Sequence, residues 1–347
     1  MLKDHIVGLT PAFDDPNYAL IRQAGFEWVR EGYSFPFEDQ VGGKLSQGFL
    51  RSVETIDRYL AEGLQVLASF PGPGSYRYIP KENKTVYYRA MPLWMGEIDE
   101  DRYYDQLYAA AKWLGEYTRG KITYWQIANE PDIDIFRGPL SLEQSARWLM
   151  TAARGIKAGN PAARCGINLG YINDDAHWLM AHIYAVDDSP FDYLGIDGYM
   201  GSWQVGGPDS WIPYIDEVTA LTHKPVIINE WGYSSLHWGP KYKDLELKEY
   251  YTQDVCRTKA WSYVWGKGHT PEAQAEYVIR CQEIFAKHPN VIGNFFFRWS
   301  DTETCWQCGE ADCPAECAWG CVDPHENPKP AYYALKEGNK KYFGKGE

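Results

Sequence analysis

The chain has 347 residues, 45% of them hydrophobic and 23% charged, a balance that supports a sizeable buried core and excludes a disordered chain. Its formal net charge of −13 excludes a nucleic-acid partner, because an acidic surface repels phosphate instead of releasing its counterions. No apolar run reaches the length of a membrane span, and Met1 to Asp4 lead straight into a strand-like segment without the apolar core of a signal peptide; a cytoplasmic location is expected, with a trimmed secreted form as the alternative.

In chain order, short apolar runs alternate with segments whose apolar positions recur every three or four residues, the pattern of βα units around a parallel sheet. Eight runs read as strands: His5–Thr10, Phe26–Tyr33, Leu64–Phe70, Ile122–Ala128, Arg164–Leu169, Tyr193–Tyr199, Val226–Asn229 and Val291–Trp299. Ser46–Glu62, Arg102–Tyr117, Leu142–Ala158, Trp178–Ala185 and Pro271–His288 read as outer helices. Turn signals such as Glu62-Gly63, Arg119-Gly120 and Gly159-Asn160-Pro161 separate several of these helices from the next strand. No linker or repeat divides the chain, so residues 1–347 are expected to form one α/β domain, a (β/α)8 TIM barrel. Long connections follow the third, seventh and eighth strands, at Pro71–Asp99, Trp231–His269 and Ser300–Lys329. Loops after barrel strands build the face where substrates bind, which is where elaboration is expected to matter.

Two strand ends carry the chemistry. Trp125-Gln126-Ile127-Ala128-Asn129-Glu130-Pro131 is an apolar run that stops at a proline, which cannot extend the ladder. Pro225-Val226-Ile227-Ile228-Asn229-Glu230-Trp231 repeats the design at the seventh strand. Two carboxyls facing each other across a barrel mouth suit glycosidic cleavage, in which a departing oxygen is protonated while negative charge supports an oxocarbenium-like centre. A separation of about 5–5.5 Å lets one carboxyl bond to the sugar and retain its configuration, whereas about 6.5–9.5 Å admits a water and inverts it. The nearby charge also holds one carboxyl protonated, and Glu130 is expected to be that acid.

These motifs resemble the clan of retaining (β/α)8 glycosidases that includes the cellulase-like and β-galactosidase-like families. The resemblance covers nearly the whole chain in order, through short motifs. It implies Glu130 as acid/base after strand four and Glu230 as nucleophile after strand seven. It further implies substrate-site roles for Arg30 on the nucleophile side, Asn129 at the sugar 2-hydroxyl, Tyr199 hydrogen-bonded to the nucleophile, and Trp299 beneath the reacting sugar. Some branches carry a histidine at the third strand end and His-x-Tyr at the sixth. Here those positions read Phe70-Pro71 and Asp197-Gly198-Tyr199, so Asp197 either reaches a sugar hydroxyl or anchors a loop.

Fifteen Trp and 26 Tyr exceed what such a core needs, and aromatic faces stack on sugars. Tyr76, Tyr78, Tyr87, Tyr88 and Trp94 lie in the third loop, and Trp203, Trp211, Trp231, His237 and Trp238 in the sixth and seventh. Trp231, next to Glu230, is expected at the rim as a substrate-binding residue. Crowded aromatic loops favour a pocket and an exo-acting β-glucosidase or β-galactosidase type of hydrolase; an endo-acting β-glucanase or β-mannanase, a transglycosylase and a non-catalytic carbohydrate-binding barrel are the alternatives. No catalytic cofactor is expected. Cysteines cluster at about 300–322, where Cys305, Cys308, Cys313 and Cys317 have the spacing to hold a structural zinc, with a pair of disulfides or unlinked thiols as the other readings; the resemblance implies an apolar residue at the position of Cys321, which leaves that cysteine outside the ligand set.

Overall fold

The computed structural model describes residues 5–12, 15–79, 84–235, 263–305 and 316–346. Eight parallel strands ring the core: β1 (Ile6–Leu9), β2 (Trp28–Gly32), β3 (Gln65–Phe70), β4 (Tyr124–Ile127), β5 (Arg164–Gly166 continuing as Asn168–Leu169), β6 (Leu194–Gly198), β7 (Val226–Trp231) and β8 (Val291–Phe296). Each is followed by a helix of the outer layer: α1 (Tyr18–Gln23), α2 (Gln47–Ala61), α3 (Asp101–Tyr117), α4 (Leu142–Gly159), α5 (Asp174–Leu179, prolonged by a π turn), α6 (Trp211–Thr222), α7 (Pro271–Lys287) and α8 (Pro330–Gly338). The barrel is the one expected from the alternation. Side-chain caps start several helices, Ser46 on α2 and the Ser141–Gln144 capping box on α4 among them.

Closure occurs at β5. Its first half pairs with β4 and its second with β6, so the nearly closed sheet passes through Ile167. The Tyr184 hydroxyl braces this joint, accepting the Ile167 amide at 3.1 Å and donating to Tyr193 O at 2.9 Å.

Alternation along the strands makes two cores. Val7, Leu9, Val29, Val66, Trp125, Ile196 and Ile228 face the helices, while Ile6, Leu67, Tyr193, Ile227 and Phe295 fill the barrel's interior. The large inner rings fit because their neighbours are small: a side chain on Gly8 would run into the Phe295 ring, and one on Gly166 into Tyr193. Above this apolar layer the interior turns polar, with Arg30, Gln126, Asn168, Asp197 and Asn229 all buried.

Of the three long connections, the one after β3 carries an antiparallel hairpin, Gly74–Ile79 with Lys84–Arg89. Those after β7 and β8 lie partly outside the described residues. Among the described residues no helix is long and apolar enough to cross a membrane.

Because Gly8 faces Phe295, Gly8→Val is expected to lower stability by about 1–3 kcal/mol through overpacking. Phe295→Ala added to that variant should return part of the loss, a coupling read by urea unfolding of the single and double variants.

Candidate active site

Two departures from regular strand geometry build the site. At the end of β4, Ala128 and Glu130 both take left-handed backbone conformations, φ 63° and 41°, which L-residues adopt at a cost. Buried polar groups hold this turn: Gln126 Nε2 donates to Ala128 O at 2.9 Å, and the Glu130 amide donates to Asn168 Oδ1 at 3.2 Å. In β7 the register with β6 shifts between Ile228 and Glu230. Asn229 and Glu230 consequently both turn inward, Asn229 donating to Gln126 Oε1 at 2.7 Å and Glu230 reaching the mouth.

Arg30, on β2, ties these ends together. Its Nε donates to Gln126 Oε1 at 2.6 Å, its Nη1 to Glu230 Oε1 at 2.5 Å and its Nη2 to Asn129 Oδ1 at 2.7 Å. The Tyr199 hydroxyl donates to the other Glu230 oxygen. Asn129 Nδ2 lies 3.5 Å from Glu130 Oε2, at the limit of a hydrogen bond. Arg30, Asn129, Glu130, Tyr199 and Glu230 are thus brought together.

The two glutamates line one cavity of about 380 Å³ with Asn129, Tyr171, Tyr199, Trp203, Phe297 and Arg298. A second lobe of about 480 Å³ shares Asn129 and Phe136 with it and runs past Thr10, Arg30, Glu31, Ser69 and the Gly72–Ser75 stretch. Burial, followed by the charges of Glu230 and Asp132, pushes the Glu130 carboxyl well above the usual carboxylate range, against the opposing pull of Arg30. Asp197 is pushed up in the same way, by burial first and then by the two glutamates. Burial also raises Asp132 to about 6, partly offset by the Gly170 and Tyr171 amides that its carboxylate accepts. Arg298 is lowered by burial, with Glu316 and Asp301 opposing that effect.

Two tryptophans depart from the sequence expectation. Trp231 is not at the rim: with Asn229 and Glu230 both inside, the next side chain faces the helices, fully buried between Phe285 and Phe296, its indole donating to Asn294 Oδ1 at 3.1 Å. Trp299 is also buried outside the cavity, its indole bonded to Glu326 Oε1 at 2.7 Å and its ring against Tyr332. Phe297, two residues earlier, lines the cavity instead. Of the loop aromatics, Trp203 lines the cavity while Trp211 is buried against Tyr214 and Phe285; His237 and Trp238 lie outside the described residues.

Residues that the sequence reading passed over include Gln126 and Asn168. Asn168 Nδ2 donates to Asn129 Oδ1 at 3.0 Å and to Asp197 Oδ2 at 2.5 Å. Their one sequence signal is a polar residue inside an otherwise apolar strand.

Of the cysteine cluster, Cys305, Cys317 and Cys321 are buried, whereas Cys308 and Cys313 lie outside the described residues. The Cys321 thiol is directed at Trp299 O, 3.3 Å away. Among the described residues no three His, Cys, Asp or Glu side chains are grouped to hold a metal.

No protein-family model matches the chain, and no curated protein matches it in sequence. Among solved structures it is similar to xylanase 10B from Thermotoga maritima, at 15% identity and TM-score 0.64, over 98% of this chain and 96% of that one. GH5_18 from Streptomyces cattleya, in complex with GlcNAc, is 14% identical with TM-score 0.65, over 99% of this chain and 81% of that one. A β-glucuronidase from an uncultured Clostridium sp. is 16% identical with TM-score 0.60, over 97% of this chain and 50% of that one; the chain spans about half the length of that enzyme. The shared feature is the fold, a TIM barrel of the kind found in glycoside hydrolases.

Arg30→Met is expected to lower stability by about 3–5 kcal/mol near neutral pH, because Glu230 is left buried without the cation it pairs with. In that variant the native state takes up protons more readily than the unfolded chain, so the loss should shrink as pH falls and grow as it rises. Urea unfolding of both proteins at acid and alkaline pH measures this.

Proposed function

We propose that the protein is a glycoside hydrolase that cleaves a β-linked sugar with retention, with Glu130 as acid/base and Glu230 as nucleophile. The observation that carries this reading is the unequal treatment of two carboxyls lining one cavity. Glu230 is ion-paired with Arg30 and bonded to Tyr199, whereas burial and neighbouring acids favour the protonated form of Glu130. One group is equipped to attack, the other to donate a proton.

In the first half-reaction, Glu130 gives its proton to the leaving oxygen, a Glu230 oxygen bonds to the anomeric carbon and the glycosidic bond breaks. In the second, Glu130 takes a proton from water, which attacks the same carbon and releases Glu230. Asn129, fixed by Arg30 and Asn168, is placed to bond a hydroxyl of the reacting ring, and Phe297 and Trp203 offer apolar faces to it. A binding barrel has no use for this charge asymmetry, which favours the enzyme over that alternative.

Exo action on a single terminal sugar is the preferred mode, supported by the aromatic crowding of the cavity by Tyr171, Trp203 and Phe297. Endo action is the second reading, favoured by the continuation of the cavity into the other lobe at Asn129 and Phe136. A structural zinc on Cys305, Cys308, Cys313 and Cys317 is likewise proposed; it would brace the loop after β8 and take no part in catalysis, since four thiolates leave no open position.

A screen of aryl β-glycosides and oligosaccharides, followed by proton NMR, should show release of the β-anomer first; an initial α-anomer would contradict double displacement. Glu130→Gln should slow substrates with poor leaving groups by about 10²–10⁴-fold and spare activated aryl glycosides in the first step. Chain-length analysis separates the modes, single sugars indicating exo and internal fragments endo action. Metal analysis of reduced protein should find one zinc per chain, and its absence would remove that assignment.

A further inference from the structure

Asp197 has no part in the mechanism above, yet it is buried beside both glutamates. The carboxyl is fully enclosed, at 0% exposure. Its Oδ2 accepts from Asn168 Nδ2 at 2.5 Å. Its Oδ1 receives no hydrogen bond from any donor among the described residues, while Asn168 joins it to its neighbour Glu130, accepting the Glu130 amide at 3.2 Å and donating to Asp197. Two carboxylate oxygens are both acceptors, so they satisfy one another only when a proton lies between them.

Charge balance places that proton. Among the described residues Arg30 is the cation bonded into the cluster, and it faces Glu230, Glu130 and Asp197. Arg298, at the cavity wall, has Glu316 and Asp301 as its own acidic neighbours. Asp132 is anchored on the other side, by the Gly170 and Tyr171 amides; Tyr199 and Tyr214 are neutral phenols pushed further up by burial. One buried cation balances one buried anion, and a second uncompensated carboxylate is costly.

We propose that Asp197 is carried as a carboxylic acid whose Oδ1 hydroxyl donates to Glu130, making it a positioning residue of the acid/base. This rests on the roles proposed for the two glutamates. Before reaction the single negative charge lies on Glu230, and Glu130 and Asp197 are both protonated. When Glu130 passes its proton to the leaving oxygen and Glu230 becomes an ester, the charge moves to Glu130, which then accepts a hydrogen bond from the still protonated Asp197. The net charge around Arg30 is unchanged throughout, and the intermediate's Glu130 carboxylate is held for its turn as base.

Asp197→Asn keeps both the shape and the donor. Its kcat/KM profile should have its alkaline limb within a few tenths of a pH unit of the wild type. Were Asp197 ionised, removing its charge would move that limb down by about one unit or more. Asp197→Ala, which removes the donor to the charged form of Glu130, should move the limb up; a downward move overturns the proposal. A measurement independent of turnover and of any variant is infrared spectroscopy of wild-type protein labelled with ¹³C at the aspartate carboxyl. A protonated-aspartate band should persist at pH 8, where Asp132, at about 6, has ionised, and its absence overturns the proposal. If no glycoside is cleaved, the functional reading fails, while the infrared result still reports the state of Asp197.

Discussion

The guanidinium of Arg30 is the point on which the site is assembled. A planar cation with donors in fixed directions is suited to fastening several strands at once, and Arg30 does this from β2: Gln126 and Asn129 on one side and Glu230 on the other are all within 2.7 Å of its nitrogens. Without a cation there, the barrel's interior could not change from the apolar layer of Ile6, Leu67, Ile227 and Phe295 to a layer of acids and amides directly above. The same burial that makes the cation necessary strengthens its bonds, because few solvent dipoles compete.

The polar layer in turn makes irregular backbone tolerable. Ala128 and Glu130 occupy conformations that a free strand end avoids, and the amide groups of Gln126 and Asn168 bond the peptide groups so exposed. The register shift in β7 is met in the same way, with Asn229 bonded to Gln126. Local strain and side-chain network are therefore two descriptions of one feature: the network over-determines the backbone, and the backbone aims the carboxyls.

Much of this was legible in the sequence. Each strand run has its counterpart in the barrel, and the Asn-Glu-Pro and Asn-Glu-Trp strand ends marked the two carboxyls, because a charged residue ending an apolar run has few places to go but the mouth. The orientation of neighbours was harder to read. Trp231 follows Glu230 directly, and only the register shift, invisible in composition, sends it toward α7. Trp299 stands beyond the end of β8, where alternation no longer fixes sidedness, so Phe297 and not Trp299 meets the cavity. Strands covered on both faces also lack a clear hydrophobic alternation, which is why Gln126 and Asn168 passed as isolated polar residues. The cysteine cluster illustrates another limit, since spacing alone does not distinguish thiolates that bind a metal from thiols that pair.

The divided fifth strand gives the barrel a joint in place of one unbroken ladder. Pairing leaves β4 through Arg164–Gly166 and resumes toward β6 through Asn168–Leu169, so a small rotation at Ile167 carries Asn168 with it. Asn168 touches Asn129, Asp197 and the Glu130 amide, and the joint itself hangs on the hydroxyl of Tyr184 in the helical layer. Fine adjustment of Glu130 is therefore open to changes on the outside of the barrel: selection acting on Tyr184 and its surroundings can retune the centre while every residue that lines the cavity stays the same.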